Sequence, residues 1–484
     1  MKRFLMPLLA ISFVSCNSAQ TKTEPDALAF NPDAYTEETL VMPGGDTIHY
    51  RAYENIYFVK HVADSAYQTL NFYVPLSANE QTPIFLRTYV GGYMAAKARK
   101  PSPTDASGRA LQEGYVLCIP GSRGWNSVVE KNGEKHFTGR APADIVDLKA
   151  AVRYLRHNDH TMPGNAERII TDGTSAGGAM SALLGSSGNS PLFELYLKEL
   201  GAANERDDVF ASVCYCPIID LEHADMAYEW LYAFTNQGIR TLSPEQQQVS
   251  EELTSAFPSY HNSLGLKKAD GSPLTIDHCT EYLKSFLIQS AQRALDEGCV
   301  IPSDIGIVQE RGFVKDIDLP TYLTYVVSTH KLKTPPAFDA QGVLGDFQTP
   351  ENKLFGDETA SSVNFTTYSC AKTGNTIDEA LQTRIWMMNP MYHLSQATDK
   401  AKHWFIRHGA RDRDTGFSVP INLATKLMNQ GYPVDFALPW NRGHEGDYNL
   451  NDLFEWINGL THNQPTLIEQ FYCPIESICC SSLL

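Results

Sequence analysis

After its first 15 residues the sequence has no apolar run long enough to cross a membrane, and it has no long low-complexity segment. It is also poor in cationic side chains, with 39 Lys and Arg against 56 Asp and Glu and a formal net charge of −17. A field of this sign repels phosphate backbones, which argues against nucleic acid as a partner. Because 43% of its 484 residues are hydrophobic, the chain is long and apolar enough to bury a sizeable core.

The ten cysteines include no CxxC pair of the kind that binds zinc. Cys214 and Cys216 lie two residues apart in an apolar, strand-like run, a spacing that suits a disulfide bridge poorly. We therefore expect most of the cysteines to be buried as small hydrophobic residues, and we expect no metal site.

The N-terminus has the order of a targeting segment. Lys2 and Arg3 precede a short apolar stretch, and small residues precede Cys16. This order predicts a signal peptide over residues 1–15, and its break at a cysteine resembles a bacterial lipoprotein signal, in which Cys16 becomes the lipidated N-terminus. We expect a tether over residues 16–40 and a lipid anchor in the bacterial cell envelope, periplasmic or on the outer-membrane surface, as the only membrane contact. A plain secretory signal is the alternative.

Strand and helix patterns alternate up to residue 221, break, and resume at residue 385. Short apolar runs bounded by Gly or Pro predict strands, and Ile145, Leu148, Val152 and Leu155 recur at helical spacing. Such alternation predicts a mostly parallel sheet with helices on both faces. We expect one sheet domain over residues 41–221 and 385–462, interrupted by a helix-rich lid insertion at 222–384 and followed by a tail at 463–484. The predicted strands are Tyr57 to Val59, Leu70 to Val74, Ile84 to Val90, Tyr115 to Ile119, Arg168 to Thr171, Phe210 to Cys216, His403 to Arg407 and Val434 to Leu438.

The sharpest local motif is G-x-S-x-G, formed by Gly173 to Gly177 around Ser175. A β-rich run precedes it and an Ala-rich helical run follows, which is the strand, tight turn and helix of a nucleophile elbow. The motif therefore predicts that Ser175 is a catalytic nucleophile, held above the sheet at the start of a helix.

A serine nucleophile needs a base and an acid. In one order of the triad both follow the serine along the chain. Asp412 comes just after the predicted strand His403 to Arg407, and His444 comes just after Val434 to Leu438. Both should lie at the edge of the sheet where Ser175 emerges. Asp414 is an alternative acid, and by its position in the loop we prefer Asp412.

The oxyanion that forms during acyl transfer needs two backbone N–H donors. Ala176, directly after the serine, should supply one. The second should come from the loop after Ile84 to Val90, where Gly91 and Gly92 allow a close approach of the backbone to substrate.

Several of these motifs together resemble the bacterial tannases, α/β-hydrolases that release gallic acid from galloyl esters and are related to the feruloyl esterases. The segments that carry the resemblance are DGTSAGGAMSALLGSSGNSP, VGGYMAAKA, IRHGARDRDT, WNRGHEGDY and KTPPAFDAQGVLGDFQTPENKLFG. The resemblance covers most of residues 57 to 460. It implies an α/β-hydrolase fold with a lid insertion, the triad Ser175, Asp412 and His444, and an oxyanion hole at Gly92 and Ala176.

The resemblance also implies a binding site for the three phenolic hydroxyls of gallate. The matching residues are Lys333, Glu351 and Asp414, with Lys331 as an alternative to Lys333. Carboxylates accept hydrogen bonds from phenols, and an ammonium group donates to them. A buried polar set of this kind would reject acyl groups that lack those hydroxyls.

These motifs predict a serine esterase that cleaves a small-molecule phenolic ester through an acyl-enzyme and needs no metal or organic cofactor. Three alternatives remain. One is a feruloyl or acetyl carboxylesterase acting on plant polysaccharide, which would share the triad but not the gallate-binding set. The others are a serine exopeptidase, disfavoured because no propeller repeats precede the motif, and a non-catalytic surface binding protein.

Overall fold

The computed structural model describes residues 26–236, 239–328 and 330–461. The strands of this part are β1 (Thr36–Val41), β2 (Thr47–Tyr57), β3 (Thr69–Pro75), β4 (Pro83–Arg87), β5 (Val116–Pro120), β6 (Val128–Lys131), β7 (Glu134–Phe137), β8 (Asn165–Thr174), β9 (Ala211–Tyr215), β10 (Ile307–Glu310), β11 (Phe313–Ile317), β12 (His403–Arg407) and β13 (Val434–Ala437). Its helices are α1 (Ala106–Gln112), α2 (Ala143–His157), α3 (Ala176–Ser186), α4 (Glu194–Glu199), α5 (Leu221–Tyr232), α6 (Pro244–Ser263), α7 (Ile276–Asp296), α8 (Leu319–Val327), α9 (Pro350–Leu354), α10 (Thr367–Thr373), α11 (Glu379–Met387), α12 (Pro390–His393), α13 (Ser418–Asn429) and α14 (Leu450–Thr461).

Nine strands form one sheet in the order β1-β2-β3-β5-β4-β8-β9-β12-β13. The strands from β5 to β13 in this order run parallel, whereas β1, β2 and β3 pair antiparallel at one edge. The predicted mostly parallel α/β sheet is therefore confirmed. Parallel strands place their carboxyl ends at one edge of the sheet, and the loops that follow β4, β8, β12 and β13 meet there.

Helices cover both faces of the sheet because successive strand residues point to opposite sides. In β4, Ile84 and Leu86 belong to the buried cluster that includes residues of α2, α3 and α13, whereas Phe85 belongs to the cluster on the opposite face, with residues of α1 and α14. Trp404 and Phe405 in β12 divide in the same way. The central strands are buried on both faces, which explains their continuous apolar runs.

The folded part of the chain begins earlier than the expected tether boundary at residue 40. Leu28 and Phe30 are buried in the core, and β1 pairs with β2 along its whole length. Of the strand predicted at Tyr57 to Val59, only Tyr57 lies in a strand, as the last residue of the longer β2, and Phe58 and Val59 follow it outside the sheet. β1 was not predicted because it is a polar edge strand whose side chains are mostly exposed.

Between β9 and β12 the chain forms the helices α5 to α12 and a separate hairpin of β10 and β11. Helix α6 begins with the capping box of Ser243 and Gln246. We keep the name insertion for residues 222–384 of this stretch.

No helix among the described residues is long and apolar enough to cross a membrane. Cys16, the predicted signal peptide and the tail at 463–484 lie outside the described residues. Among the described cysteines, Cys118, Cys214, Cys216, Cys279 and Cys370 are buried free thiols, as expected, and Cys299 is exposed.

Candidate active site

Ser175 lies in a tight turn between β8 and α3. Its backbone is in the left-handed region, with φ 63° and ψ −124°, which a residue other than glycine adopts only at a cost. The neighbouring glycines permit the turn. A Cβ on Gly173 would lie 2.2 Å from the carbonyl oxygen of Gly177, and one on Gly178 would lie 2.5 Å from that of Tyr215. The turn therefore has the geometry of a nucleophile elbow.

His444 joins the serine to the acid. Its Nε2 lies 2.8 Å from Ser175 Oγ, and its Nδ1 lies 2.8 Å from Asp412 Oδ2. An ionised carboxylate only accepts hydrogen bonds, so Nδ1 carries the proton and Nε2 is free to accept the proton of Ser175. The three side chains that were predicted separately therefore form one continuous hydrogen-bonded chain.

The pKa shifts of Asp412 and His444 are those expected for a histidine base beside an ionised carboxylate. Burial raises the pKa of Asp412, but His408 and His444 outweigh it and hold this carboxyl well below its usual range. Burial lowers the pKa of His444, but the hydrogen bond and charge of Asp412 and the charge of Asp414 raise it above its ordinary value of 6.5. Asp412 thus stays ionised and stabilises the imidazolium.

Asp414, the alternative acid, is farther from the base. Its Oδ2 lies 3.6 Å from His444 Nδ1, and its side chain is 24% exposed, whereas Asp412 is fully buried. The backbone N–H of Asp414 donates to Asp412 Oδ1 at 2.9 Å. His408 lies on the other side of the acid, with its Nδ1 3.5 Å from Asp412 Oδ2.

The loop after β4 carries Gly92 in the left-handed region at φ 55°, followed by Tyr93 at φ 55°. Trp125 Nε1 donates to the carbonyl oxygen of Gly92 at 2.8 Å, and the Tyr93 hydroxyl donates to that of Ile218 at 2.6 Å. These contacts fix the loop.

Ala176 is the first residue of α3, so its N–H has no acceptor within the helix and is available to an anion.

Lys333 and Glu351 come from the insertion, and the charge of Lys333 acts on His444 of the triad. The charge of Lys333 lowers the pKa of both Glu351 and His444. Glu351 is buried, and this burial raises the pKa of its carboxyl despite Lys333. Lys331 is exposed, whereas Lys333 is half-buried with its Nζ 3.9 Å from the centre of the Phe338 ring. The arrangement offers a desolvated carboxylate and an ammonium to a polar ligand.

The insertion also supports the acid loop directly. The Tyr322 hydroxyl in α8 donates to the carbonyl oxygen of Ala410 at 2.6 Å, and the Tyr232 hydroxyl in α5 donates to that of Asp412 at 3.3 Å. The insertion therefore helps to fix the loop that carries Asp412.

A buried ionic network, which the sequence motifs did not predict, joins the strands that carry the site. Arg87, at the end of β4, pairs with Asp172 in β8 and with Asp447, three residues after the predicted base His444. Burial raises the pKa of Asp172 to about 6 although Arg87 opposes it. The network ties together the strands and loops that carry Gly92, Ser175 and His444. A single arginine within the apolar strand β4 was the available signal.

Residues 70–278 match the family model described as BD-FAE. Esterase LipC of Mycobacterium tuberculosis is 34% identical over 208 residues, which are 43% of this chain and 44% of LipC. Esterase LipQ of the same organism is 24% identical over 159 residues, which are 33% of this chain and 34% of LipQ. The chain therefore spans less than half of the length of these two relatives.

Solved structures match nearly the whole chain. The tannase of Fusobacterium nucleatum is 39% identical with a TM-score of 0.81, and the match covers 90% of this chain and 99% of that one. The native tannin acyl hydrolase of Lactobacillus plantarum is 41% identical with a TM-score of 0.82 and the same coverage. A tannin acyl hydrolase in complex with ethyl gallate is 42% identical, with a TM-score of 0.82, and again covers 90% and 99%.

Proposed function

The chain belongs to the bacterial tannase family and is a carboxylic ester hydrolase, and we propose that it cleaves galloyl esters through a serine acyl-enzyme. The observation that carries the mechanism is the chain of two 2.8 Å contacts from Ser175 through His444 to Asp412. Asp412 is the acid in this proposal, since it is nearer to Nδ1 than Asp414 is.

In the proposed reaction, His444 Nε2 takes the proton of Ser175 while Oγ attacks the ester carbonyl. The N–H groups of Gly92 and Ala176 stabilise the oxyanion. The tetrahedral intermediate then expels the alcohol, which takes the proton from His444 and leaves an acyl-enzyme. Water, activated by the same His444, attacks the acyl carbon and releases the acid and free Ser175.

The preference for gallate is assigned to Lys333, Glu351 and Asp414. Glu351 and Asp414 would accept hydrogen bonds from the phenolic hydroxyls, and Lys333 would donate one. Support comes from the position of Lys333, whose charge acts on both Glu351 and His444. An acyl group without these hydroxyls would leave the buried polar set unpaired, which lowers its rate of cleavage.

A feruloyl esterase is the second candidate, because residues 70–278 match the BD-FAE family model. This match ends before Lys333 and Glu351, so it concerns the part of the chain that holds Ser175 and not the gallate-binding set.

A substrate panel separates the two candidates. Methyl gallate, methyl ferulate and p-nitrophenyl acetate should be compared by kcat/KM with the purified protein. A tannase should prefer methyl gallate by at least about tenfold, the effect of one lost hydrogen bond to a charged group. Equal rates on gallate and ferulate, or a preference for ferulate, would reject the gallate assignment.

We also propose that Cys16 is acylated and anchors the protein in the cell envelope. The cysteine directly after the apolar segment supports this proposal. Expression of the full chain in a bacterium with labelled fatty acid should give a labelled, membrane-associated protein, whereas Cys16→Ser should give no label. Release of unlabelled wild-type protein would favour a plain secretory signal.

A further inference from the structure

Cys216 is a buried thiol beside the proposed triad that the reaction does not use. It directly follows β9 and has a left-handed backbone with φ 45°, unusual for a residue with a side chain. Its N–H donates to the carbonyl oxygen of Arg407 at 2.7 Å, and its Sγ donates to that of Glu445 at 3.2 Å. The thiol is therefore held between the loop of Asp412 and the loop of His444.

Three different ligand types meet at this point. The thiol sulfur of Cys216, a carboxylate oxygen of Asp412 and a ring nitrogen of His444 all lie within 4.8 Å of one another. Thiolate, imidazole and carboxylate are the ligands that Zn²⁺ takes in proteins, with ligand atoms roughly 3.3–3.8 Å apart for bonds of about 2.0–2.3 Å. Cys216 Sγ would have to approach the other two ligand atoms by up to about 1 Å, whereas His444 Nδ1 and Asp412 Oδ2, now 2.8 Å apart, would have to separate by about 0.5–1 Å.

We propose that Cys216, Asp412 and His444 form an inhibitory binding site for a thiol-seeking divalent cation, Zn²⁺ or Cd²⁺. The charges favour occupancy, because one thiolate and one carboxylate neutralise the cation in a buried position. Asp414 Oδ2 lies 3.6 Å from His444 Nδ1 and would offer the cation a further oxygen ligand. The cation enters past His444, whose side chain is 21% exposed, since those of Cys216 and Asp412 are buried.

Occupancy would stop the reaction through the tautomer of His444. The cation binds Nδ1 in place of its proton, that proton passes to Nε2, and the Cys216 thiol releases its own proton to solvent as the metal–sulfur bond forms. One proton is thus released per cation bound. With Nε2 protonated, His444 cannot take the proton of Ser175. Inhibition rests on the proposed role of His444 as the base, whereas binding of the cation does not.

The test uses Cd²⁺ alone on protein freed of metal with EDTA, with two separate measurements. The first is the ultraviolet charge-transfer absorption of a cadmium thiolate, together with proton release in weak buffer. The second is hydrolysis of p-nitrophenyl acetate, expressed relative to the metal-free rate of each variant. Cys216→Ser is the main variant, and Cys216→Ala is used if the serine variant fails to fold. Cys299→Ser removes the exposed thiol as a matched control.

Wild type and Cys299→Ser should both show a cadmium thiolate at Cys216, with its released proton and a loss of activity that EDTA reverses. Cys216→Ser should show no such thiolate, and half-inhibition should need about 100-fold more Cd²⁺, because one of three ligands is lost. Equal inhibition of wild type and Cys216→Ser, or no thiolate at Cys216, would overturn the proposed site. A thiolate at Cys216 with full activity would instead overturn the proposed role of His444.

Discussion

The proposed triad and the proposed gallate-binding set are built differently. Ser175, Asp412 and His444 each follow a strand of one buried parallel sheet, and their side chains contact one another at hydrogen-bonding distance. Lys333 and Glu351 instead lie in non-strand segments of the insertion, and their positions depend on contacts with distant parts of the chain.

Those contacts are specific and buried. The backbone of Lys333 is held by the Tyr228 hydroxyl at 3.1 Å and by Arg240, which forms a buried two-point ion pair with Glu229 at 2.7 and 2.9 Å. Helix α9, which carries Glu351, is attached to the core because the Ala141 N–H donates to the carbonyl oxygen of Leu354 at 2.9 Å. The difference suggests a division of labour, with chemistry on the sheet and acyl-group preference in the insertion.

The largest expected effect comes from the sheet side. Asp412→Asn replaces an acceptor by an amide that favours the tautomer with Nε2 protonated, so kcat should fall about 10⁴-fold for every ester. Asp414→Asn is the matched control and should reduce hydrolysis of p-nitrophenyl acetate far less. Steady-state kinetics on both variants decide the point, and a larger loss in Asp414→Asn would make Asp414 the acid.

An insertion variant should lose activity selectively. Glu351→Gln weakens a hydrogen bond to a charged acceptor worth about 1.5–3 kcal/mol, so kcat/KM for methyl gallate should fall about 10- to 150-fold. The rate on p-nitrophenyl acetate should change little. Glu358→Gln, which changes an exposed carboxylate of the insertion, is the control. An equal fall of kcat/KM for both esters would contradict the proposed role of Glu351 in the preference for gallate.

The hydrogen bonds that hold α9 in place can be weakened without changing Lys333, Glu351 or Asp414. Asp339 accepts hydrogen bonds from Asn352 at 2.6 Å, Asn364 at 2.7 Å and the backbone N–H of Thr366 at 2.8 Å. Asp339→Asn replaces one carboxylate oxygen by an NH₂ group, which cannot accept hydrogen bonds from these donors. The loss should lower the free energy of unfolding by about 1–3 kcal/mol. Denaturant unfolding measures the loss, and the preference for methyl gallate should fall with it. Unchanged stability and preference would show that the position of α9 does not depend on Asp339.

The smallest expected effect is a shift in pH dependence. The pKa of His444 lies above 6.5, so protonation as the pH falls through that pKa should remove activity, and the acid limb of kcat/KM should lie above pH 6.5. Asp412, Asp414 and His408 face this site together with Lys333. Asp414→Asn removes a charge that raises the pKa of His444, so the limb should move to lower pH.

This shift is measured with p-nitrophenyl acetate, which does not need the phenol-binding groups. Lys331→Met, which removes an exposed lysine of the insertion, should leave the limb in place. A limb that moves to higher pH in Asp414→Asn would contradict the electrostatic role of this carboxylate.

The sheet and the positions of the triad residues were accessible from sequence because they depend on local patterns. A strand followed by G-x-S-x-G, and two later strands followed by Asp412 and His444, place three side chains at one edge by topology alone. The edge strand β1 was not predicted because most of its side chains are exposed and few of them are apolar.

Other parts depend on contacts between residues far apart in the chain. Arg87 and Asp447 pair across 360 positions, and no local pattern indicates that Cys216 turns toward Asp412. Lys333 and Glu351 were accessible only through the resemblance to tannases. Their positions depend on the tertiary packing of the insertion, which spacing along the chain does not determine.

Ligand binding by the Ser175→Ala variant, measured apart from turnover, is the most direct test of this division. Calorimetry with methyl gallate should give a dissociation constant close to the KM of the wild type, with release of gallate reduced about 10⁴-fold or more. Adding Glu351→Gln to Ser175→Ala should then weaken binding about 10- to 150-fold. Turnover near the wild-type rate in Ser175→Ala, or binding that does not depend on Glu351, would contradict the separation of chemistry from recognition.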